Sequence, residues 1–343
     1  MSGSVGSRPR LPVFADVDTG VDDAMALVYL LASPEAELVG VASTAGNVGV
    51  AQVCENNLAL LALCGAPDIP VSTGSAVPLS IPLRTAEDTH GPAGLGYAEL
   101  APASSSPTDY DAATAWIRAA RDHPGELIGL ATGPLTNLAL ALRAEPELPR
   151  LLRRLVIMGG SFEYRGNTTP VAEWNIAVDP EAAAEVFTAW GAAVADGHRG
   201  ELPIVCGLNI TERMALRPPY LAELAAAAGV PGDPSANPLV RVLTDALRFY
   251  FEFHESVGEG YLAHVHDPFA AAVALDPSLV ITRDATIGVE LGGALTRGMT
   301  VADWTGHWGR PANARIAVDG PGLPQVFFDR YLVRVAAFAR GLS

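Results

Sequence analysis

The chain has 343 residues, 49% of them hydrophobic and 17% charged, with a formal net charge of −16 at pH 7. That balance describes a folded, core-rich protein and excludes a disordered one. So acidic a surface also argues against nucleic acid or an anionic membrane as principal partner. All 22 basic residues are arginine, which excludes Schiff-base chemistry, pyridoxal phosphate attachment, a P-loop lysine and a lysine general base. Cys54, Cys64 and Cys206 are odd in number and lack CxxC spacing, so they read as reduced, buried thiols. The start, MSGSVGSRPR, has no apolar h-region, and residues 1–10 read as a disordered tail. No apolar run is long enough to span a membrane, and a soluble cytoplasmic protein is expected.

Pro12 to Leu27 (PVFADVDTGVDDAMAL) reads as a buried strand that turns at Gly20 into a helix. It places Asp16, Asp18, Asp22 and Asp23 within eight residues. Taken alone, the stretch is also explained by a capped helix with a solvated acidic turn. Leu38–Ser43 reads as a second strand, ending at Thr44-Ala45-Gly46-Asn47, with a helix over 51–64. Residues 67–110 are rich in Pro, Ser and Gly and read as a surface excursion carrying His90-Gly91 and Gly94-Leu95-Gly96. Leu127–Ala131, Leu155–Met158 and Pro203–Leu208 are further strands. The first of these ends at Thr132-Gly133-Pro134-Leu135-Thr136-Asn137, the second at Gly159-Gly160. A long amphipathic helix is predicted over 238–255, and His266-Asp267-Pro268 opens another. Strands at 286–292, 299–303 and 314–318 and a helix at 324–340 complete the chain. Arg153 and Arg154 read as a solvated face, and Trp304 and Trp308 as packing.

This alternation predicts an open, mostly parallel, doubly wound Rossmann-like α/β sheet flanked by helices. With no linker and no repeat, residues 11–343 read as one domain. In such a sheet the polar strand ends share one edge, where ligands bind. Four crowded carboxylates repel one another unless neutralised, and a hard divalent cation would do so. The amide and carboxylate side chains of Asn47, Asn137, Asn167, Glu173 and Asn175 suit a polyhydroxylated ligand such as a sugar better than a phosphate. His266 adds a titratable imidazole.

Taken together and in order, these motifs resemble the inosine–uridine preferring nucleoside hydrolases over nearly the whole chain. The opening is similar to DxDPGxDD, with Thr19 where proline is usual, which is expected to loosen the turn slightly. Ala45-Gly46-Asn47, His90-Gly91, Gly133–Asn137, Met158-Gly159-Gly160, Pro170–Asn175, His266-Asp267-Pro268 and Thr296–Thr300 complete the likeness. The resemblance implies a Ca²⁺-dependent cleavage of the bond between ribose and a purine or pyrimidine base. It implies Asp18, Asp23, Asp267 and the Thr136 carbonyl as calcium ligands. It further implies Asp18 as the base that activates a calcium-bound water and His266 as the acid, or as a group that orients the base. Asp22, Asn47, Met158, Asn167, Glu173 and Asn175 are implied sugar contacts, His90 a weaker base contact, and Asp16 a support behind the metal loop. Arg248, Tyr250, Phe251, His254 and Tyr261 are candidates for the base pocket. Residues 191–202 resemble a surface insertion, and a homodimer or homotetramer is implied. Two rivals remain. One is a silent nucleoside- or ribose-binding protein that keeps the calcium site. The other is a haloacid-dehalogenase-like phosphatase, whose DxDx[TV] start is matched with the threonine one place early.

Overall fold

A computed structural model of the chain describes residues 9–342. Residues 1–8 of the expected tail lie outside the described residues, while Pro9 and Arg10 are exposed and belong to no strand or helix. The strands in chain order are β1 (Leu11–Val17), β2 (Ala36–Ser43), β3 (Val71–Thr73), β4 (Ile128–Ala131), β5 (Arg154–Met158) and β6 (Ile204–Cys206). They continue with β7 (Ala215–Leu216), β8 (Ala263–His264), β9 (Ile281–Val289), β10 (Thr300–Asp303) and β11 (Ala314–Asp319). One nine-stranded sheet has the order β10-β9-β11-β6-β5-β4-β1-β2-β3, and β7 and β8 form a small separate ribbon. From β3 across to β11 the neighbours run parallel, and β9 and β10 close the edge antiparallel. Strand order reverses between β1 and β4, the switch point at which doubly wound sheets open a crevice beyond their carboxyl ends.

The expected strands are present; β3 and the two-residue strands β7 and β8 were not anticipated, and the strand expected at 286–292 has other bounds. β3 is a Val-Ser-Thr triplet inside the Pro/Ser/Gly-rich excursion, too short to stand out by composition. β9 begins at Ile281, earlier than its apolar stretch, because its first residues are exposed or half-buried.

Side-chain alternation along β1 divides the core. Val13, Ala15 and Val17 join the cluster under the helices Val21–Leu31, Pro238–Ser256, His266–Leu275 and Gln325–Arg340. Phe14 faces the opposite layer, with Trp116, Leu138 and Val186 of the helices Ala112–Asp122, Thr136–Ala144 and Pro180–Ala195. Asp16 shares the parity of Phe14, so its carboxylate meets the Trp116 indole, whose Nε1 donates at 2.7 Å. Gly129 of β4 makes the room, since a Cβ there would lie 2.7 Å from the indole ring.

The helices Val21–Leu31 and His266–Leu275 pack directly on each other. Small residues, Ala24 and Ala26 on one and Ala270, Ala271, Ala272 and Ala274 on the other, are all buried. This packing brings the first turns of two helices far apart in sequence side by side, and with them Asp22, Asp23 and Asp267. Each first turn favours an anion through its unpaired N–H groups.

Arg154 departs from the solvated-face reading: it is 8% exposed, reaching the Ala274 carbonyl at 2.8 Å and Glu201 at 3.0 Å. Trp308, expected to pack, is 43% exposed. The segment 191–202 continues the helix Pro180–Ala195 before running exposed into β6. Cys54, Cys64 and Cys206 are free and buried. Among the described residues no helix is long and apolar enough to cross a membrane.

Candidate active site

Beyond the carboxyl ends of β1, β4 and β5 lies a cavity of about 290 Å³. Asp22, Asn47, His90, Thr132, Met158, Asn167, Glu173, Asn175, His266 and Asp267 all line it. One ligand oxygen from each of Asp22, Asp23 and Asp267 falls within 4.8 Å of the other two. Asp23 is braced by the Thr132 hydroxyl (2.6 Å), the Gly20 amide (2.9 Å) and Asn47 Nδ2 (3.2 Å). Asp22 accepts from the His266 amide at 3.3 Å.

Asp18 sits behind these groups. Its Oδ2 accepts from the Asn47 amide at 2.8 Å, while its Oδ1 is buried with no hydrogen-bond partner. Glycines make its niche: a Cβ at Gly46 would lie 2.1 Å from Asp18 Oδ2, and one at Gly133 would lie 2.9 Å from Oδ1. Neither glycine has a positive φ, so space for a carboxylate, not backbone freedom, requires them. Thr19 takes the place of the usual proline and donates from its hydroxyl to Asn57 Oδ1. That bond ties the turn to the helix Val50–Leu63 and offsets the expected loosening.

The electrostatics follow from burial and like charge. Burial, then the charges of its neighbours, pushes Asp18 and Asp267 well above the usual carboxylate range. Asp22 is raised to about 7 by burial and by Asp23, and Asp23 is raised mainly by burial. Such a cluster favours protons or a cation over bare charge. An oxygen-only donor set with one orphaned buried oxygen fits a hard divalent cation.

Asp16 turns away from this group. Thr44, Trp116 and Asn137 all donate to it, Asn137 at 3.0 Å, and burial still raises it to about 6. Glu173 caps the helix Trp174–Val178: Oε1 accepts from the Asn175 amide (2.8 Å), and Oε2 from the Gly160 (2.9 Å) and Ile176 (3.1 Å) amides. Burial nevertheless lifts it to about 7. Asn175 Nδ2 donates to the carbonyls of Thr132 (2.6 Å) and Met158 (3.1 Å). Asn167 is exposed at the rim, its Oδ1 accepting from the Trp174 amide at 2.9 Å.

Of the four imidazoles that line the cavity, His90 and His266 lie nearest the carboxylates and are neutral. His90 Nδ1 accepts from the Val21 amide at 3.1 Å, so its proton is on Nε2. Burial holds it down to about 3. His266 Nδ1 pairs with the Thr211 hydroxyl at 2.8 Å. Burial, then His264, His254, His90 and Arg165, holds it well below the usual range.

Thr136, whose carbonyl the resemblance implies as a ligand, stands in the first turn of the helix Thr136–Ala144 and does not line the cavity; its hydroxyl donates to Asp179 (2.7 Å). β4 ends at Ala131, so the first residue beyond the sheet edge is Thr132, and it is Thr132 that faces Asp23. At the far end, Tyr250, Phe253, His254 and Val257 line the cavity, an i, i+3, i+4, i+7 stripe of one helix face. Phe251 points to the core side against Tyr261, and Arg248 lies over the Tyr97 ring; none of the three lines the cavity. Arg165, Glu212, Glu259 and His264 complete that end. Arg165, Glu212 and Glu259 come from loops and His264 from the end of β8, and none of them carried a motif.

The family profile described as inosine-uridine preferring nucleoside hydrolase matches residues 13–321. A pyrimidine-specific ribonucleoside hydrolase, RihA, from Citrobacter koseri is 37% identical over 331 residues, covering 96% of this chain and 99% of its own. A non-specific ribonucleoside hydrolase, RihC, from Klebsiella pneumoniae is 39% identical with the same coverage. The solved purine-preferring ribonucleoside hydrolase from Gardnerella vaginalis superposes with a TM-score of 0.86 at 29% identity, covering 96% of this chain and 99% of that one.

Proposed function

The chain belongs to the inosine-uridine preferring nucleoside hydrolases, an enzyme family acting on N-glycosyl compounds, and from that premise we propose a calcium-dependent N-ribohydrolase of purine and/or pyrimidine ribonucleosides. The observation that carries the reading is the convergence of buried carboxylates at one end of a ligand-sized cavity, with Asp18 Oδ1 left unpartnered. Asp18, Asp23 and Asp267 would hold the ion, with Asp22 beside it and the Thr132 carbonyl in place of Thr136. Calcium bound there would supply a positive charge suited to hydroxyl oxygens and would lower the pKa of a neighbouring water.

The chain's own groups do the rest. Asp18 accepts the proton of the water as its oxygen attacks the anomeric carbon of ribose. The electrons of the N-glycosidic bond leave with the base, and positive charge builds on the sugar ring. Asp22, Glu173 and the amide oxygens of Asn47 and Asn175 surround that charge and hold the hydroxyls that orient the ring. Both imidazoles are neutral at rest: His90 offers its Nε2–H to the departing base, and His266 is the acid or the group that orients that base. Tyr250 and Phe253 offer faces on which either kind of base can stack. A homodimer or homotetramer in the cytoplasm is the proposed setting.

The test is reducing-sugar release from inosine, adenosine, uridine and cytidine, with Ca²⁺ and after chelation, for wild type and Asp18→Ala. Expected are ribose release by wild type and a loss of about 10³-fold in Asp18→Ala. Nucleoside binding by the wild type without release from any of the four overturns the hydrolase reading in favour of a silent binding protein.

A further inference from the structure

A second group of ligand-type side chains lines the same cavity on the side of the helix Pro238–Ser256. His254, Glu259 and His264 each present one ligand atom within 4.8 Å of the other two. His254 is in the last turn of the helix Pro238–Ser256, Glu259 follows in the connecting loop, and His264 ends β8. Glu259 stands between Gly258 and Gly260, whose φ angles are +86° and +94°. The left-handed backbone on both sides folds the loop back, so three ligands from one short stretch meet with little loop-closure entropy.

The bonding within the group leaves acceptors facing each other. His254 Nδ1 lies 2.8 Å from the Tyr250 carbonyl. A carbonyl can only accept, so the ring proton is on Nδ1 and Nε2 is a bare lone pair. The side chain is 6% exposed, and Nε2 lies 4.0 Å from Glu259 Oε2, too long for a hydrogen bond. His264 Nε2 approaches the same oxygen at 3.1 Å, and His264 Nδ1 is buried without a partner. Glu259 Oε1 accepts from Arg165 at 2.9 Å, and the same guanidinium nitrogen donates to Glu212 at 2.9 Å. Two carboxylates against one guanidinium leave negative charge in excess, and Oε2 faces the two imidazoles.

We propose that His254, Glu259 and His264 form a binding site for a divalent transition metal of the zinc class, distinct from the carboxylate cluster. Two imidazoles and one carboxylate select zinc, cobalt or nickel over calcium, which prefers an all-oxygen shell. All three residues line the cavity, so an ion held by them would sit at its wall. An ion held there makes the far end of the cavity metal-responsive. Binding of the metal requires no turnover, so the proposal stands apart from the hydrolase reading.

The test uses untagged full-length protein saturated with Ca²⁺ and titrated with Co²⁺ while visible absorption is followed. Expected is saturation at about one equivalent, with the strong bands of four- or five-coordinate nitrogen-ligated cobalt, bleached when Zn²⁺ is added. Glu259→Gln, in an open turn, should weaken the affinity at least about tenfold, and His264→Gln should abolish the bands. Circular dichroism confirms that both variants fold. Only the weak absorption of an oxygen-ligated octahedral ion in wild type, or unchanged bands and affinity in both folded variants, overturns the site.

Discussion

The two ends of the cavity are built by different means. The carboxylate end rests on the carboxyl ends of parallel strands and the first turns of two buried helices. Asp18, Asp22, Asp23 and Asp267 are each at most 4% exposed there. The far end rests on one helix stripe and the loops beside it, tied by Arg165, whose side chain is 49% exposed. Buried, oriented groups in a low-dielectric setting keep a fixed geometry and can stabilise developing charge. Half-exposed ion pairs are individually weak and adjust to whatever lies against them. The common chemistry therefore belongs at the sugar, and discrimination among bases belongs at the adaptable end.

The most severe way to break this division is to fill the niche of Asp18 without replacing any polar side chain. Gly46→Ala places a methyl 2.1 Å from Asp18 Oδ2 and 2.9 Å from Pro134 Cδ. We expect kcat to fall about 10³-fold, roughly 4 kcal/mol of transition-state stabilisation, on every ribonucleoside alike, with the fold retained by circular dichroism. A loss confined to one base would contradict the assignment of this end to the sugar.

How legible the two ends were in the sequence follows the same division. The parallel sheet and its polar strand ends could be read because each strand is an apolar run that stops at a small polar cluster. The parity of Phe14 and Asp16 even foretells which layer Asp16 joins. Thr132 was missed for Thr136 because both lie in one loop–helix motif, and only the observed end of β4 shows which residue meets Asp23. At the far end, Tyr250 and His254 were found as aromatics. The choice of Arg248 and Phe251 beside them ignored the i, i+3, i+4, i+7 stripe that carries Phe253 and Val257. Arg165, Glu212 and Glu259 had no sequence signal, since loop charges usually read as solvated.

A smaller effect tests how firmly the rigid end is fixed. Burial raises Glu173 from 4.5 to about 7 against three N–H donors. The folded state therefore keeps a proton that the unfolded state has lost. This contribution is complete below about pH 4.5, declines as pH rises, and is gone above about 7. Urea unfolding of wild type and Glu173→Gln at pH 4.5 and pH 8 should show wild type losing about 3 kcal/mol relative to the variant. A difference independent of pH would mean that the three donors hold the carboxylate ionised throughout.

The smallest expected change in stability sharpens the comparison most, because it separates tuning from chemistry. Arg165 bridges Glu212 and Glu259 at 2.9 Å each, and Tyr164 donates to Glu212 at 2.8 Å. These bonds tie the loop that carries Gly166 and Asn167 to the opposite side of the cavity mouth. Because the guanidinium is half exposed, Arg165→Ala should alter unfolding free energy by no more than about 1 kcal/mol. The freed loop should raise KM a few-fold and change the ranking of purine and pyrimidine ribonucleosides, with kcat on the best substrate nearly unchanged. Steady-state kinetics on all four nucleosides decide the matter. If kcat falls as steeply as in Gly46→Ala, Arg165 supports the reacting sugar, and the two ends act as one machine rather than two.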